Sequence, residues 1–378
     1  MAAGIEHRHR QRHQVLRPAL RQRGLDDGAR LRERHGCHHL FLPRFRSPTL
    51  PGAAPAVARC TAGQYHLRRN GVHSRQGDRA REGDGMKGEV GVIGLGIMGG
   101  AMAANLRERG WRVVGFDLDP ARCAELAQKG VEIAEDVPGL ACAVRTIITS
   151  LPSPAAVAAV AREIAGAGLE CRTVCETSTL ALDDKNAAEQ ILAEAGHVLL
   201  DCPLSGTGAQ ARNRDLVVYA SGDAASIAAC RDIFADFARQ AHDLGAFGNG
   251  TKMKFVANLL VAIHNVAAAE AMVLAMKAGL DPGQVVRLVG AGAGGSRVFD
   301  LRAPLMVEES YEPATMKIST WQKDMAVIGA FAAKLGAPTP LFSATEPYYA
   351  AAMSQGRGNE DTAAVCAVLE AMAGMTRG

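Results

Sequence analysis

The chain has 378 residues, of which 48% are hydrophobic and 4% aromatic, with a formal net charge of +3. This length suits two domains, each with its own core, and the core must be built from small side chains rather than aromatic rings. Nine cysteines at irregular spacing with no secretory leader argue against a disulfide-built secreted fold; they read as reduced thiols in a cytoplasmic protein.

The net charge hides a split. Residues 1–86 hold 17 Arg, no Lys, 7 acidic residues and 8 of the 11 His, a net of +10, whereas residues 87–378 carry a net of −7. The first segment has no apolar periodicity and no hydrophobic stretch, so it is neither a signal peptide nor a membrane span. Its arginines are evenly sprinkled without aromatic interleaving, unlike a nucleic-acid arm. Asp26, Asp27, Glu33, Asp78, Glu82 and Asp84 argue against a mitochondrial transit peptide. Its composition is what translation of GC-rich DNA upstream of a start would give. The expectation is a disordered leader over 1–86 that is not part of the native folded chain.

From Val90 to Ile93 a short apolar run predicts a buried parallel strand. It leads into Gly94-Leu95-Gly96-Ile97-Met98-Gly99, and a helical pattern follows through Leu106. A glycine run between strand and helix is the dinucleotide-binding arrangement: a tight turn, a close backbone approach to pyrophosphate, and tight helix–strand packing. A second strand, Arg112–Phe116, ends on Asp117, 23 residues beyond Gly94, where an acid holds ribose hydroxyls. Leu118 follows, with no Arg to receive a 2′-phosphate. NAD is therefore the expected cofactor, with NADP possible through Arg122.

Further strands are expected at Thr146–Thr149, Thr173–Glu176, His197–Asp201 and Leu216–Ala220, each ending in small or polar residues where open α/β sheets bind ligands. A Rossmann-like domain is thus expected over 87–249.

The segment Thr251–Ala278 lacks Pro and Gly and predicts one long helix. Its polar residues exclude a membrane span. Lys254, Asn258 and Asn265 fall within roughly 40° on the helical wheel, whereas Lys252 points away. A polar stripe on an apolar helix needs partners, which a substrate cleft supplies, and a desolvated Lys254 would exchange a proton with an alcohol or alkoxide. His264 reads as a core histidine. The three histidines of residues 87–378 (His197, His242 and His264) have no ligand spacing, which argues against a catalytic zinc site. Residues 250–378 otherwise alternate helical patterns with Gly and Pro breaks, predicting an all-helical second domain joined by the long helix. One of its helices is expected over Thr315–Leu335. Its apolar helices suggest a homodimer or homotetramer.

The run Gly94–Gly99 through Met102-Ala103-Ala104-Asn105-Leu106 resembles the N-terminal signature of the 3-hydroxyisobutyrate dehydrogenase (β-hydroxyacid dehydrogenase) family. Further matches follow in order: Leu151-Pro152, Ser178-Thr179, Asp201-Cys202-Pro203-Leu204-Ser205-Gly206, Gly248-Asn249-Gly250 with Lys254, Lys323-Asp324, and Gly356-Arg357-Gly358 with Asp361. The resemblance implies NAD(P)-dependent oxidation of a short 3-hydroxy acid, or the reverse reduction, with Lys254 as acid/base. It assigns substrate binding to Ser205, Gly206 and Thr207, and cofactor contacts to Leu95, Ile97, Met98, Leu151, Pro152, Thr179 and Lys323. Three positions depart from the family pattern. Thr207 replaces a second Gly, Ala257 replaces an Asn with Asn258 one further on, and Arg297 replaces a Trp. Thr207 and Asn258 would suit extra substrate hydroxyls, which keeps a threonate-type sugar-acid dehydrogenase or a tartronate-semialdehyde reductase open, and a non-catalytic dinucleotide-binding scaffold is the alternative of another class.

Overall fold

The computed structural model describes residues 86–377. Of the leader expected over 1–86, all but Met86 lies outside the described residues. The first half alternates strand and helix: β1 (Gly88–Ile93), α1 (Ile97–Glu108), β2 (Trp111–Phe116), α2 (Pro120–Gln128), β3 (Glu132–Ile133), α3 (Val137–Ala143), β4 (Thr146–Thr149), α4 (Pro154–Gly166), β5 (Thr173–Glu176), α5 (Leu182–Glu194) and β6 (Val198–Asp201). The six strands form one parallel sheet in the order β3-β2-β1-β4-β5-β6. The order reverses between β1 and β4, which opens a crevice at their carboxyl ends. Alternate strand residues feed opposite faces. Val90, Val92, Ile148 and Leu200 share one core with α1 and two later helices, whereas Ile93, Ile147, Val174 and Leu199 share another with α3, α4 and α5.

After β6 the chain leaves this sheet. Pro203 interrupts it, and β7 (Leu204–Ser205), α6 (Gly208–Arg212), β8 (Val217–Ala220), α7 (Ala224–Ala229), α8 (Arg231–Phe237) and β9 (Gln240–Asp243) follow. β8 pairs antiparallel with β7 and parallel with β9 in a separate three-stranded sheet. The expectation of one more strand in the parallel series is corrected here. Hydrophobic periodicity locates the strand but does not say which sheet it joins.

The second half is helical: α9 (Asn249–Lys277), α10 (Pro282–Gly290), α11 (Arg297–Glu308), α12 (Ile318–Leu335), α13 (Pro340–Ser354) and α14 (Val365–Met372). α9 runs 29 residues and has the length and hydropathy of a membrane span. It is instead the central element of this core, with Phe255, Ala262, Val266, Ala269 and Met272 enclosed by Phe299, Trp321, Ile328 and Tyr349. α12 begins three residues later than expected, because the Thr315 and Met316 N–H groups are held outside it by Asp361, at 2.8 and 3.2 Å.

Candidate active site

The glycine turn sits at the crevice. Gly94 has φ +89°, and a Cβ there would strike the Ser150 carbonyl; one on Gly99 would strike the carbonyl of Gly94. No side chain caps α1, so its first-turn N–H groups are free to face an anion. Residues 94–99 therefore fit a dinucleotide diphosphate. Asp117 directly follows β2 with its carboxylate folded against the turn, accepting the Leu95 N–H at 2.6 Å and the Asp119 N–H at 2.8 Å. Arg122 lies beside Gly96 and faces both acids, 3.6 Å from Asp117 and 3.4 Å from Asp119. Asp117 and Leu118 line an open groove over α2 and β3, apart from the reacting end.

A second cleft, of about 240 Å³, lies where the sheet meets the helices. Ile97, Met98, Leu151, Thr179, Gly206, Thr207, Lys254 and Lys323 all line it, joined by Ser150, Thr177, Ser178, Met316, Lys317, Thr320 and Asp324. Ser205 and Pro152 flank it without lining it.

Lys254 projects into this cleft from the second turn of α9. It is buried, and no protein acceptor lies within hydrogen-bond or ion-pair distance among the described residues. Burial pulls its ammonium below the ordinary lysine value, against the opposing pull of Asp324. Lys252, two residues earlier, is exposed and bonds Asn249 at 3.1 Å.

Asn258 does not line the cleft, contrary to its expected part in substrate binding. It lies one turn beyond Lys254, buried, with its amide donated to Asp324 Oδ2 at 3.2 Å. Asn265, on the same stripe, donates its amide inside the helical core to the Tyr349 hydroxyl and the Thr362 carbonyl, at 2.9 and 2.8 Å, and leaves its Oδ1 without a partner among the described residues. Of the three stripe residues, only Lys254 reaches the cleft. His264 is half-buried rather than in the core. Thr207 is the N-cap of α6 in a reciprocal capping box with Gln210, so its side chain already has a structural task. Arg297 is exposed and reaches Asp215 at 3.7 Å.

Asp324, present in the sequence as half of the Lys323-Asp324 match but given no role there, is a central group of the cleft. Lys323 donates to the Thr179 carbonyl at 2.9 Å and lies 3.7 Å from Asp324. Asp324 thus stands between Lys323, Asn258 and the field of Lys254, and its burial raises its carboxyl above the usual range despite both lysines. Its place next to Lys323 was visible in the sequence, but its partner Asn258 is 66 residues away.

Two family models cover the described chain in succession. The NAD binding domain of 6-phosphogluconate dehydrogenase matches residues 89–248, and the NAD-binding domain of NADP-dependent 3-hydroxyisobutyrate dehydrogenase matches 248–369. The chain is 32% identical over 284 residues to L-threonate dehydrogenase of Cupriavidus necator, covering 74% of this chain and 95% of that protein. The chain belongs to the 3-hydroxyisobutyrate dehydrogenase family. Glyoxylate/succinic semialdehyde reductase 1 of Arabidopsis thaliana is 29% identical, over 73% of this chain and 96% of its own length. The crystal structure of 3-hydroxyisobutyrate dehydrogenase from Salmonella typhimurium superposes with a TM-score of 0.68 at 28% identity, covering 74% of this chain and 99% of that one. The protein is therefore an NAD(P)-dependent dehydrogenase acting on CH–OH groups.

Proposed function

We propose that this enzyme oxidises a short 3-hydroxy carboxylate to its semialdehyde or keto acid, or runs the reverse reduction, with NAD as the cofactor. The observation that carries this reading is a buried, unpaired Lys254 amine at the cleft between the glycine turn and the Ser205–Gly206–Thr207 loop. Bound along the glycine turn, the dinucleotide supplies the hydride acceptor. Lys254 Nζ, as the neutral amine, takes the proton of the substrate hydroxyl; in reduction its ammonium returns a proton to the forming alkoxide. Burial favours the neutral form that oxidation requires. The loop at Ser205, Gly206 and Thr207 holds the substrate carboxylate, and Thr179 and Lys323 fix the nicotinamide side.

A second reading is a polyhydroxylated substrate of the threonate type. The L-threonate dehydrogenase relative supports it, and so does the presence of Thr320 along the cleft. A panel of 3-hydroxyisobutyrate, threonate, glycerate and 2-(hydroxymethyl)glutarate, read by NADH absorbance, separates the two. The first reading requires 3-hydroxyisobutyrate to have the highest kcat/KM, and the second requires threonate to have it. The scaffold alternative requires that nothing turns over. Exposed Met253, Val256, Leu260 and Leu274 along α9 support a homo-oligomer, which light scattering would detect.

A further inference from the structure

Lys185 on α5 is wholly buried and takes no part in the chemistry above. Its ammonium lies 2.8 Å from Glu176 Oε2 and 2.8 Å from Asp201 Oδ1. These carboxylates end β5 and β6 as register partners, and both are enclosed. Burial alone would push the lysine down, but the two acids outweigh it and hold the ammonium above its ordinary value.

Each carboxylate also grips a different part of the site. Glu176 Oε1 accepts the Ser178 N–H at 2.9 Å, and Ser178 Oγ accepts the Leu151 N–H at 2.9 Å. That fixes the loop through Thr179 on the nicotinamide side. Asp201 accepts the Thr251 N–H at 2.7 Å and the Thr251 hydroxyl at 2.8 Å, anchoring the first turn of α9 just ahead of Lys254. Ser221 Oγ donates to Asp201 at 3.2 Å and accepts the Gly250 N–H at 2.9 Å. A Cβ on Gly250 would meet the Tyr219 and Asp201 carbonyls, so the helix start is pressed directly onto the strand ends.

We propose that Lys185 is a positioning residue: clamped between Glu176 and Asp201, it sets the spacing between the nicotinamide-side loop and the Lys254 amine. Without its charge, two facing buried carboxylates repel, one takes a proton, and an oxygen carrying a proton no longer accepts as before. The grip on Ser178 or on Thr251 then slackens, and the two halves of the site lose their common reference. The inference rests on the reading of Lys254 as acid/base.

The test uses Lys185→Met, Asp201→Asn and Thr251→Val in the full chain, the last deleting a single side-chain bond in case the others fail to fold. Two readouts are taken: steady-state kinetics with NAD and 3-hydroxyisobutyrate, including the isotope effect of the deuterated alcohol, and acetylation of Lys254 by acetic anhydride against pH, with Lys252 as internal reference. Among the described residues, the charge that acts on Lys254 is Asp324 and not a member of the cluster, so its acetylation curve reports enclosure. The expected result is a fall in kcat of about 10- to 100-fold for Lys185→Met and Asp201→Asn, the scale of a misplacement near 1 Å. The isotope effect rises, KM values stay within about threefold, and the Lys254 curve moves toward that of Lys252. Thr251→Val moves each readout in the same direction by less. Rates that fall only in proportion to lost folded protein, with the isotope effect and the Lys254 curve unchanged, would overturn the proposal. A shifted Lys254 curve with undiminished turnover would instead leave the positioning intact and refute Lys254 as acid/base.

Discussion

Asn258 on α9, one turn beyond Lys254, and Asp324 on α12 are joined by a buried hydrogen bond of 3.2 Å. The bond supports a reading of Asn258 as a prop for Asp324 in place of the substrate ligand expected from the sequence. Asn258→Ala should lower kcat by about 10- to 100-fold, the scale of losing one charge-assisted bond of roughly 1.5–3 kcal/mol, with the hydroxy-acid KM little changed. A raised KM with kcat intact would return Asn258 to substrate binding.

The pH profile follows from the direction in which Lys254 is shifted. Oxidation needs the neutral amine, so its rate should rise with pH to a plateau whose midpoint lies below the ordinary lysine value. Reduction needs the ammonium and should decline across the same range. Asp324 opposes the depression, so Asp324→Asn should move the oxidation limb to lower pH. A limb that stays in place in this variant would mean that Asp324 does not act on Lys254.

The same shift has a sign for stability. With its value lowered in the folded state, Lys254 binds fewer protons when folded than when unfolded between the two values. The cost of burying its charge is complete below the folded value and is relieved as pH rises toward the unfolded one. Lys254→Met should therefore raise the melting temperature at neutral pH, on the order of 2–4 °C, and the gain should shrink in alkaline buffer. Calorimetry across pH checks this, and a lower Tm at neutral pH would contradict it.

Cofactor choice turns on Asp117 and its neighbour. The Asp117 carboxylate at the end of β2 should repel a 2′-phosphate and favour NAD at least about tenfold in kcat/KM, or 1.4 kcal/mol. Arg122 faces Asp117 and Asp119, and removing it leaves both charges uncompensated. Arg122→Ala should sharpen the NAD preference and Asp117→Asn relax it. Equal efficiency with the two cofactors in the unaltered enzyme would defeat this argument.

The parts of the fold that were legible in the sequence are those set by local chemistry. The glycine turn, Asp117 at the strand end and the long helix around Lys254 each follow from neighbouring residues. β3 has two residues and β9 is the exposed run Gln240–Asp243, so neither makes a hydrophobic period. Lys185 stands in the run Leu182-Asp183-Asp184-Lys185, which reads as a solvated face; only the folded chain brings Glu176 and Asp201 to it. Asp201 and Thr251 are 50 residues apart, and Asn258 and Asp324 are 66. Pairings at such distances leave no periodic trace.

The central claim is that the Lys254 amine moves the proton. It is tested most directly by comparing Lys254→Ala with the unaltered enzyme on the best substrate of the panel, with dinucleotide affinity measured on both. The account predicts that kcat falls at least about 100-fold at every pH and loses its limb, while dinucleotide affinity is retained. Undiminished turnover by Lys254→Ala would contradict it.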